Sequence, residues 1–219
     1  KRIYGDWTKP TVAGWKKVLL ENALTPIQQY SYTTGKNSSD SALIIDAMDI
    51  LYSGKVDGFC IVSSDSDFTR LATRLREAGM KVIGIGQKKT PAPFRVACDK
   101  FIYLEIIPMP DEVHQEETLV STPAKIKSPK AKPVESVPKI NKETLKLINS
   151  TIEDLADETG WAFLGDVGNL LLKKQPDFDP RLYGFQKLTP LIASLPQFEI
   201  DKRETDKRGI KHVYIRNKA

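Results

Sequence analysis

The chain has 219 residues, 40% of them hydrophobic, which is enough for one large domain or two small ones. No apolar run approaches the ~20 residues of a membrane-spanning helix, so no membrane partner is expected. Only two cysteines and two histidines are present, which argues against a structural zinc site and suits a cytoplasmic location. The net charge of +5 permits nucleic-acid binding without requiring it.

The first 104 residues alternate between strand-like and helix-like patterns. Strands are predicted at residues 2–7, 27–33, 58–63, 81–85 and 101–104, and helices at 11–24, 38–52, 67–78 and 92–98. Strands that alternate with helices predict a parallel α/β sheet. The helix at 38–52 is expected to be largely buried because it has little polar face, and Cys60 is interpreted as a core thiol.

The rest of the chain predicts a linker and a second domain. Residues 105–138 are rich in Pro, Lys, Glu, Ser and Thr, which is typical of a flexible linker. Residues 139–219 predict helices at 140–157, 165–174 and 185–195, and then a β-hairpin around a charged tip, as in a winged helix-turn-helix. Trp161 and Phe163 are interpreted as core residues rather than as base-stacking platforms.

The most informative motif joins the strand at 58–63 to the helix that follows it. Asp65 and Asp67 come directly after this apolar run, with Ser63 and Ser64 before them. In an open α/β sheet, ligands bind at the carboxyl ends of the strands. Paired carboxylates there indicate a site for Mg²⁺ or Mn²⁺, although the alternative is a helix N-cap, for which Ser66 or Asp67 alone would be enough.

Three further acids each have a structural alternative. Asp40 opens the helix at 38–52, where a first-turn carboxylate also complements the helix dipole. Asp6 follows the first strand and is either a pocket residue or a turn residue. Asp46 lies among apolar neighbours, so it must find a partner, and a buried ion pair is slightly favoured over a supporting role at the metal site.

Basic residues are candidates for contacts with a phosphate backbone. Lys88 and Lys89 follow the strand at 81–85, at the sheet edge predicted for Asp65, although a solvated loop explains them equally well. In the hairpin tip, Lys202, Arg203, Lys207 and Arg208 alternate with acids, which favours a solvated hairpin.

Taken together, these motifs resemble the NYN domain, in the LabA-like, limkain-type branch of the PIN-like nucleases. The matching segments are RIYGDW at 2–7, TTGKNSSD at 33–40, ALIIDAMD at 42–49 and GFCIVSSDSDF at 58–68, and the match extends to about residue 104. Residues 139–216 resemble the OST-HTH, or LOTUS, domain through GDVGNLL at 165–171 and DPRLYGF at 179–185. The expected fold is therefore a PIN-like α/β domain with a smaller winged-helix domain.

The resemblance implies a metal-dependent ribonuclease tethered to an RNA-binding domain. Asp40, Asp65 and Asp67 match the family's catalytic and metal-binding acids, and Ser63, Ser64 and Asp6 would line the pocket. RNA contacts are expected from Lys36, Lys88, Lys89, Lys173, Lys174, Arg181, Lys187, Lys202, Arg203, Lys207, Arg208 and Lys211. The LOTUS domain also leaves room for a protein partner.

One departure from the family favours a second interpretation. The family begins with an apolar strand that ends in Asp, whereas this chain begins at what resembles the second strand. We therefore expect an unpaired sheet edge and an exposed apolar groove beside the strand at 58–63. The alternative function is a non-catalytic RNA-binding or adaptor protein that keeps the NYN fold as a scaffold. A third function, a DNA-binding regulator that uses the winged helix, is supported only by the charges of the hairpin.

Overall fold

The structure is a computed structural model that describes residues 1–30, 38–108, 140–204 and 211–218. Its internal contacts divide the chain into two compact units. The first comprises Lys1–Gly84 and Thr90–Cys98, and the second comprises Ile85–Lys89 and Asp99–Ala219. Most of the predicted linker, from residue 109 onward, lies outside the described residues.

The N-terminal half alternates strands and helices, as the sequence predicts. The elements are β1 Arg2–Gly5, α1 Lys16–Glu21, β2 Thr25–Gln28, α2 Ser38–Ser53, β3 Gly58–Val62, α3 Thr69–Glu77, β4 Lys81–Gly86, α4 Ala92–Ala97 and β5 Lys100–Tyr103. Two 3-10 segments at Pro10–Trp15 and Ser66–Phe68 precede α1 and α3, where the sequence predicted continuous helices.

These strands form two separate sheets. β1 and β2 pair in parallel, with Arg2 opposite Thr25 and Gly5 opposite Gln28. β3, β4 and β5 form a parallel sheet in that order, which confirms the predicted fold class. Among the described residues β3 pairs only with β4, so it has the expected open edge.

The core of the first unit lies along one side of α3. Leu71, Ala72 and Leu75 are buried at helical spacing, and Phe68 and Phe94 are buried with ring centroids 6.5 Å apart. Helix α3 ends at Glu77 and is followed by Gly79, whose φ of +81° suits a residue without a side chain.

The expectations for α2 and Cys60 were wrong. Within α2 only Ala47 is buried, while Ile45 is 63% and Tyr52 is 75% exposed. Cys60 is exposed and not a core thiol. Successive strand residues point to opposite faces, so burial of Ile61 on one face of β3 leaves Cys60 and Val62 on the other.

The C-terminal half contains helices and a three-stranded antiparallel sheet, which we call the wing sheet or the wing. Its elements are α5 Lys142–Leu155, β6 Ala162–Phe163, α6 Leu164–Lys174, α7 Leu188–Ala193, β7 Phe198–Glu204 and β8 Lys211–Asn217. The strand order is β6-β8-β7. Helix α7 is shorter than predicted, and Pro190 lies in its first turn, where no helical hydrogen bond is lost.

The three-stranded sheet has one core face and one outer face. Ile200 lies opposite Ile215, and both contribute to a core that includes the fully buried Ile148, Leu171 and Leu191. The next pair, Asp201 and Tyr214, must point to the other face because side chains alternate along a strand. The wing therefore presents an outer surface that the core does not use.

Candidate functional site

Asp40, Asp65 and Asp67 interact electrostatically within the first unit. Asp40 lies in the first turn of α2, which packs against the 3-10 segment that contains Asp67. Burial raises the pKa of Asp40, and the negative charges of Asp65 and, less strongly, Asp67 raise it further. The charges of Asp65 and Asp67 thus act on Asp40 although 25 and 27 positions separate them from it in the sequence.

Asp65 also acts as a helix cap. Its Oδ1 accepts a hydrogen bond of 2.9 Å from the Asp67 backbone N–H, which makes it the N-cap of the 3-10 segment. The Asp65 backbone N–H in turn donates to Ser63 Oγ at 3.1 Å. Ser64 is half-buried beside them. The segment is therefore capped as the alternative interpretation expected, but the cap is Asp65 and not Ser66 or Asp67. The second carboxylate oxygen of Asp65 is not used by the cap and could serve as a metal ligand.

Asp6 lies at the start of the turn that follows β1. Its Oδ1 accepts hydrogen bonds from Thr8 Oγ1 at 2.6 Å and from Gln28 Nε2 at 3.0 Å. Lys9 Nζ lies 3.8 Å from its Oδ2. These contacts match the turn-residue alternative, and a pocket role for Asp6 stays a prediction.

Asp46 forms the ion pair that the sequence favoured, although it is only partly buried. Arg2 Nη1 and Tyr4 Oη both donate to its carboxylate. The hydrogen bond from Arg2 holds the pKa of Asp46 below its ordinary value, against the effect of burial. Burial, followed by the contact with Asp46, raises the pKa of Tyr4 to about 12.

Asp40, Asp65 and Asp67 offer the oxygen ligands that a hard divalent cation prefers, but they are not already arranged as a set of metal ligands. In the part of the chain that the structure describes, no group of three or more His, Cys, Asp or Glu side chains is arranged to hold a metal ion. Burial is the main cause of the raised pKa of Asp40, and repulsion by Asp65 and Asp67 adds to it; a bound divalent cation would relieve that repulsion. Carboxylate oxygens are also the ligands that Mg²⁺ and Mn²⁺ prefer.

The predicted basic residues differ in how far they are already paired. Lys174 contacts Asp154 at 2.6 Å, Arg181 contacts Asp179 at 2.7 Å and Lys211 contacts Glu204 at 3.1 Å. Lys173, Lys187 and Lys202 are exposed and have no ion-pair partner among the described residues. Lys88 and Lys89 are also exposed, and the Lys88 backbone N–H donates to Glu105. Lys36, Lys207 and Arg208 lie outside the described residues.

Arginine side chains lie over aromatic rings on the outer face of the wing, an arrangement that the sequence patterns did not predict. The guanidinium of Arg203 lies 4.2 Å from the ring centroid of Tyr214 and 5.5 Å from that of Trp161. The guanidinium of Arg216 lies 4.6 Å from the same Trp161 ring. Trp161 and Phe163 are both only half-buried, so their interpretation as core residues was wrong. The period-two alternation of aromatic and basic residues in β8 was the available signal.

The comparisons with known proteins identify two domains. A model of the NYN domain matches residues 1–105, and a model of the OST-HTH/LOTUS domain matches residues 135–210. A comparison with curated proteins found no match. In the residues that the structure describes, no helix is long and apolar enough to cross a membrane.

Three solved structures are similar to parts of this chain. An uncharacterized protein of Nitrosomonas europaea is 32% identical over 48% of this chain and 92% of its own, with a TM-score of 0.31. A protein of unknown function from Vibrio parahaemolyticus is 20% identical over 47% of this chain and 65% of its own, with a TM-score of 0.38. A segment of a Chromobacterium violaceum protein is 32% identical over 33% of this chain and 76% of its own, with a TM-score of 0.28.

Proposed function

We propose that this chain, an NYN-domain protein with a second OST-HTH/LOTUS domain, is a metal-dependent ribonuclease that processes RNA. An NYN domain is of the nuclease type and a LOTUS domain binds RNA, so both domains support an RNA-related function. The observation that carries the catalytic part is that α2, with Asp40 in its first turn, packs against the 3-10 segment that contains Asp67, where the charges of Asp65 and Asp67 add to the effect of burial on the pKa of Asp40.

The residues of the chain suit an oxygen-ligated divalent cation. Asp40, Asp65 and Asp67 would hold Mg²⁺ or Mn²⁺, and Ser63 would keep the Asp65 backbone in place through its hydrogen bond. A bound cation would activate a water molecule and stabilise the charge that develops on the phosphate. Lys88 and Lys89, both exposed, would attract the phosphate backbone.

A second candidate function is an RNA-binding or adaptor protein without catalysis. The observation in its favour is that the described residues contain no preformed group of three metal ligands. The two candidates share RNA binding and differ only in whether a divalent cation binds and cleavage follows.

Substitution Asp65→Asn tests the catalytic proposal. The amide oxygen of Asn can still accept the hydrogen bond from the Asp67 backbone, so the cap is kept while the charge is lost. We expect metal-dependent cleavage of a labelled single-stranded RNA to fall at least about 100-fold, since even a lost second-shell partner costs roughly 10–100-fold. Calorimetric titration with Mn²⁺ should show a matching loss of metal binding.

Asp49→Asn is the matched control. Asp49 is exposed on the same helix as Asp40, and nine residues at about 100° each place it on the opposite side. We expect Asp49→Asn to bind Mn²⁺ and cleave RNA as the wild type does. If the wild type binds RNA but shows neither Mn²⁺ binding nor cleavage, the catalytic proposal is wrong and the adaptor function is supported.

A further inference from the structure

The outer face of the wing sheet carries three rings, a histidine and two guanidinium groups. We name this the aromatic–arginine face, and it consists of Trp161, Phe163, Arg203, His212, Tyr214 and Arg216. Phe163 lies opposite Tyr214, and Arg203 lies opposite His212, so the strand register places these side chains on one surface. Phe163 also contacts both His212 and Tyr214, with centroid distances of 5.1 and 5.8 Å.

The two guanidinium groups lie over aromatic rings, and each also contacts an acid. Arg203 Nε lies 2.8 Å from Asp201 Oδ2, and Arg216 Nη2 lies 2.5 Å from Glu199 Oε2. Ring–cation distances of 4.2 and 4.6 Å are within stacking range. The Arg203 and Arg216 side chains remain 42% and 40% exposed, so planar surface is still accessible to solvent.

The loop before β6 is built to present Trp161 to this face. Asp157 Oδ1 accepts hydrogen bonds from the backbone N–H groups of Thr159 and Trp161 at 2.9 and 3.0 Å. Gly160 has a φ of +81°, and a Cβ there would lie 3.3 Å from Arg216 Cδ. A side chain at position 160 would therefore disturb both the turn and the stacking of Arg216 on Trp161.

A close approach also fixes Phe163. A Cβ at Gly165 would lie 2.6 Å from Phe163 Cε1, so only glycine lets this ring lie over the start of α6. Phe163 and His212 also line a cavity of about 510 Å³, whose other walls include Leu164, Gly168 and Leu172. The aromatic–arginine face thus continues into a mostly apolar recess that can accept a flat group.

We propose that the aromatic–arginine face binds unpaired bases of single-stranded RNA by stacking. A nucleobase presents a flat, polarizable surface that stacks on aromatic rings and on guanidinium planes, whatever its sequence. The acids at the edges of Arg203 and Arg216 oppose a simple phosphate contact and favour the planar one. This inference rests on the proposed RNA-related function and specifies where and how the second domain contacts RNA.

Substitutions that keep the positive charge of the two arginines distinguish their stacking on bases from the attraction of their charge to phosphate groups. Arg203→Lys and Arg216→Lys keep the positive charge and remove the planar group. We expect each to weaken binding of a single-stranded RNA about tenfold, because a stacking partner of the bases is lost, while the salt dependence of binding is unchanged. Arg70→Lys is the matched control, since Arg70 pairs with Glu77 at 3.3 Å but belongs to the first unit.

Tryptophan fluorescence gives a direct measure of stacking. With EDTA present, single-stranded RNA should quench part of the emission of the full chain, and Trp161→Phe should abolish that part. Duplex RNA, whose bases are already stacked, should quench far less. Unchanged melting temperatures of the variants would show that the fold is intact.

The outcomes distinguish this inference from the proposed function. RNA binding without quenching of Trp161, or with unchanged affinity in both Arg→Lys variants, overturns the stacking inference and leaves the ribonuclease proposal standing. In that case a protein partner is the better assignment for the aromatic–arginine face, because Trp, Tyr and Arg are enriched among the residues that dominate binding at protein–protein interfaces. Quenching by RNA in a chain that cleaves nothing supports the stacking inference and overturns the catalytic proposal.

Discussion

The carboxylate of Asp46 connects α2 to β1 through its contacts with Arg2 and Tyr4. The hydrogen bond from Arg2 lowers the pKa of Asp46, so its stabilising contribution is complete above the unfolded-state pKa of about 3.9 and is lost as the pH falls through the folded-state value. We expect Asp46→Asn to lower the free energy of unfolding by about 1 kcal/mol at pH 7. The difference from the wild type should shrink below about pH 4.

Urea unfolding at pH 7, 5 and 3.5 measures this difference. The same Asp49→Asn variant serves as its control, because Asp49 is exposed on the same helix and has no ion-pair partner among the described residues. A destabilisation by Asp46→Asn that is equally large at pH 3.5 would show that the carboxylate charge is not the cause.

Helices α2 and α3 differ in how much apolar surface they bury. Leu75 of α3 is fully buried, whereas Ile45 of α2 is 63% exposed. We expect Leu75→Ala to lower the free energy of unfolding by about 2–4 kcal/mol, because it removes buried contacts and leaves a cavity. Ile45→Ala should change it by less than about 0.5 kcal/mol, which thermal or urea unfolding can resolve. A large loss for Ile45→Ala would mean that this face of α2 is covered in solution.

Attraction of the whole chain to RNA should depend on the basic residues that acids leave unpaired. Lys173, Lys187 and Lys202 are exposed and without an ion-pair partner among the described residues. If all three contact phosphates, changing them to Gln should flatten the slope of log K against log salt by about 2, at about 0.7 per contact with a single strand. Fluorescence anisotropy of a labelled RNA at several salt concentrations measures this slope.

Lys174 supplies the matched control for this prediction. It is adjacent to Lys173 but contacts Asp154 at 2.6 Å. Since its charge is already balanced, Lys174→Gln should flatten the slope less than Lys173→Gln does. Equal effects of the two substitutions would show that local ion pairs do not determine which lysines contact RNA.

The sequence by itself determined the order of the elements and both domain families. Strand-like runs alternating with helices predicted the α/β fold, because hydrophobic periodicity depends on local geometry. The pattern of helices and a charged hairpin likewise predicted the winged domain. Asp65 and Asp67 were recognisable because a carboxylate pair directly after a buried strand is a local feature.

Only the tertiary structure decided which side chains meet and which faces are covered. Burial of α2 and Cys60 was predicted wrongly, since an apolar residue is buried only where another element packs on it. The electrostatic effect of Asp65 on Asp40 requires the helix and the strand end to come together. The aromatic–arginine face depends on cross-strand register, which places Trp161, Arg203 and Arg216 side by side although more than 50 positions separate the first from the last.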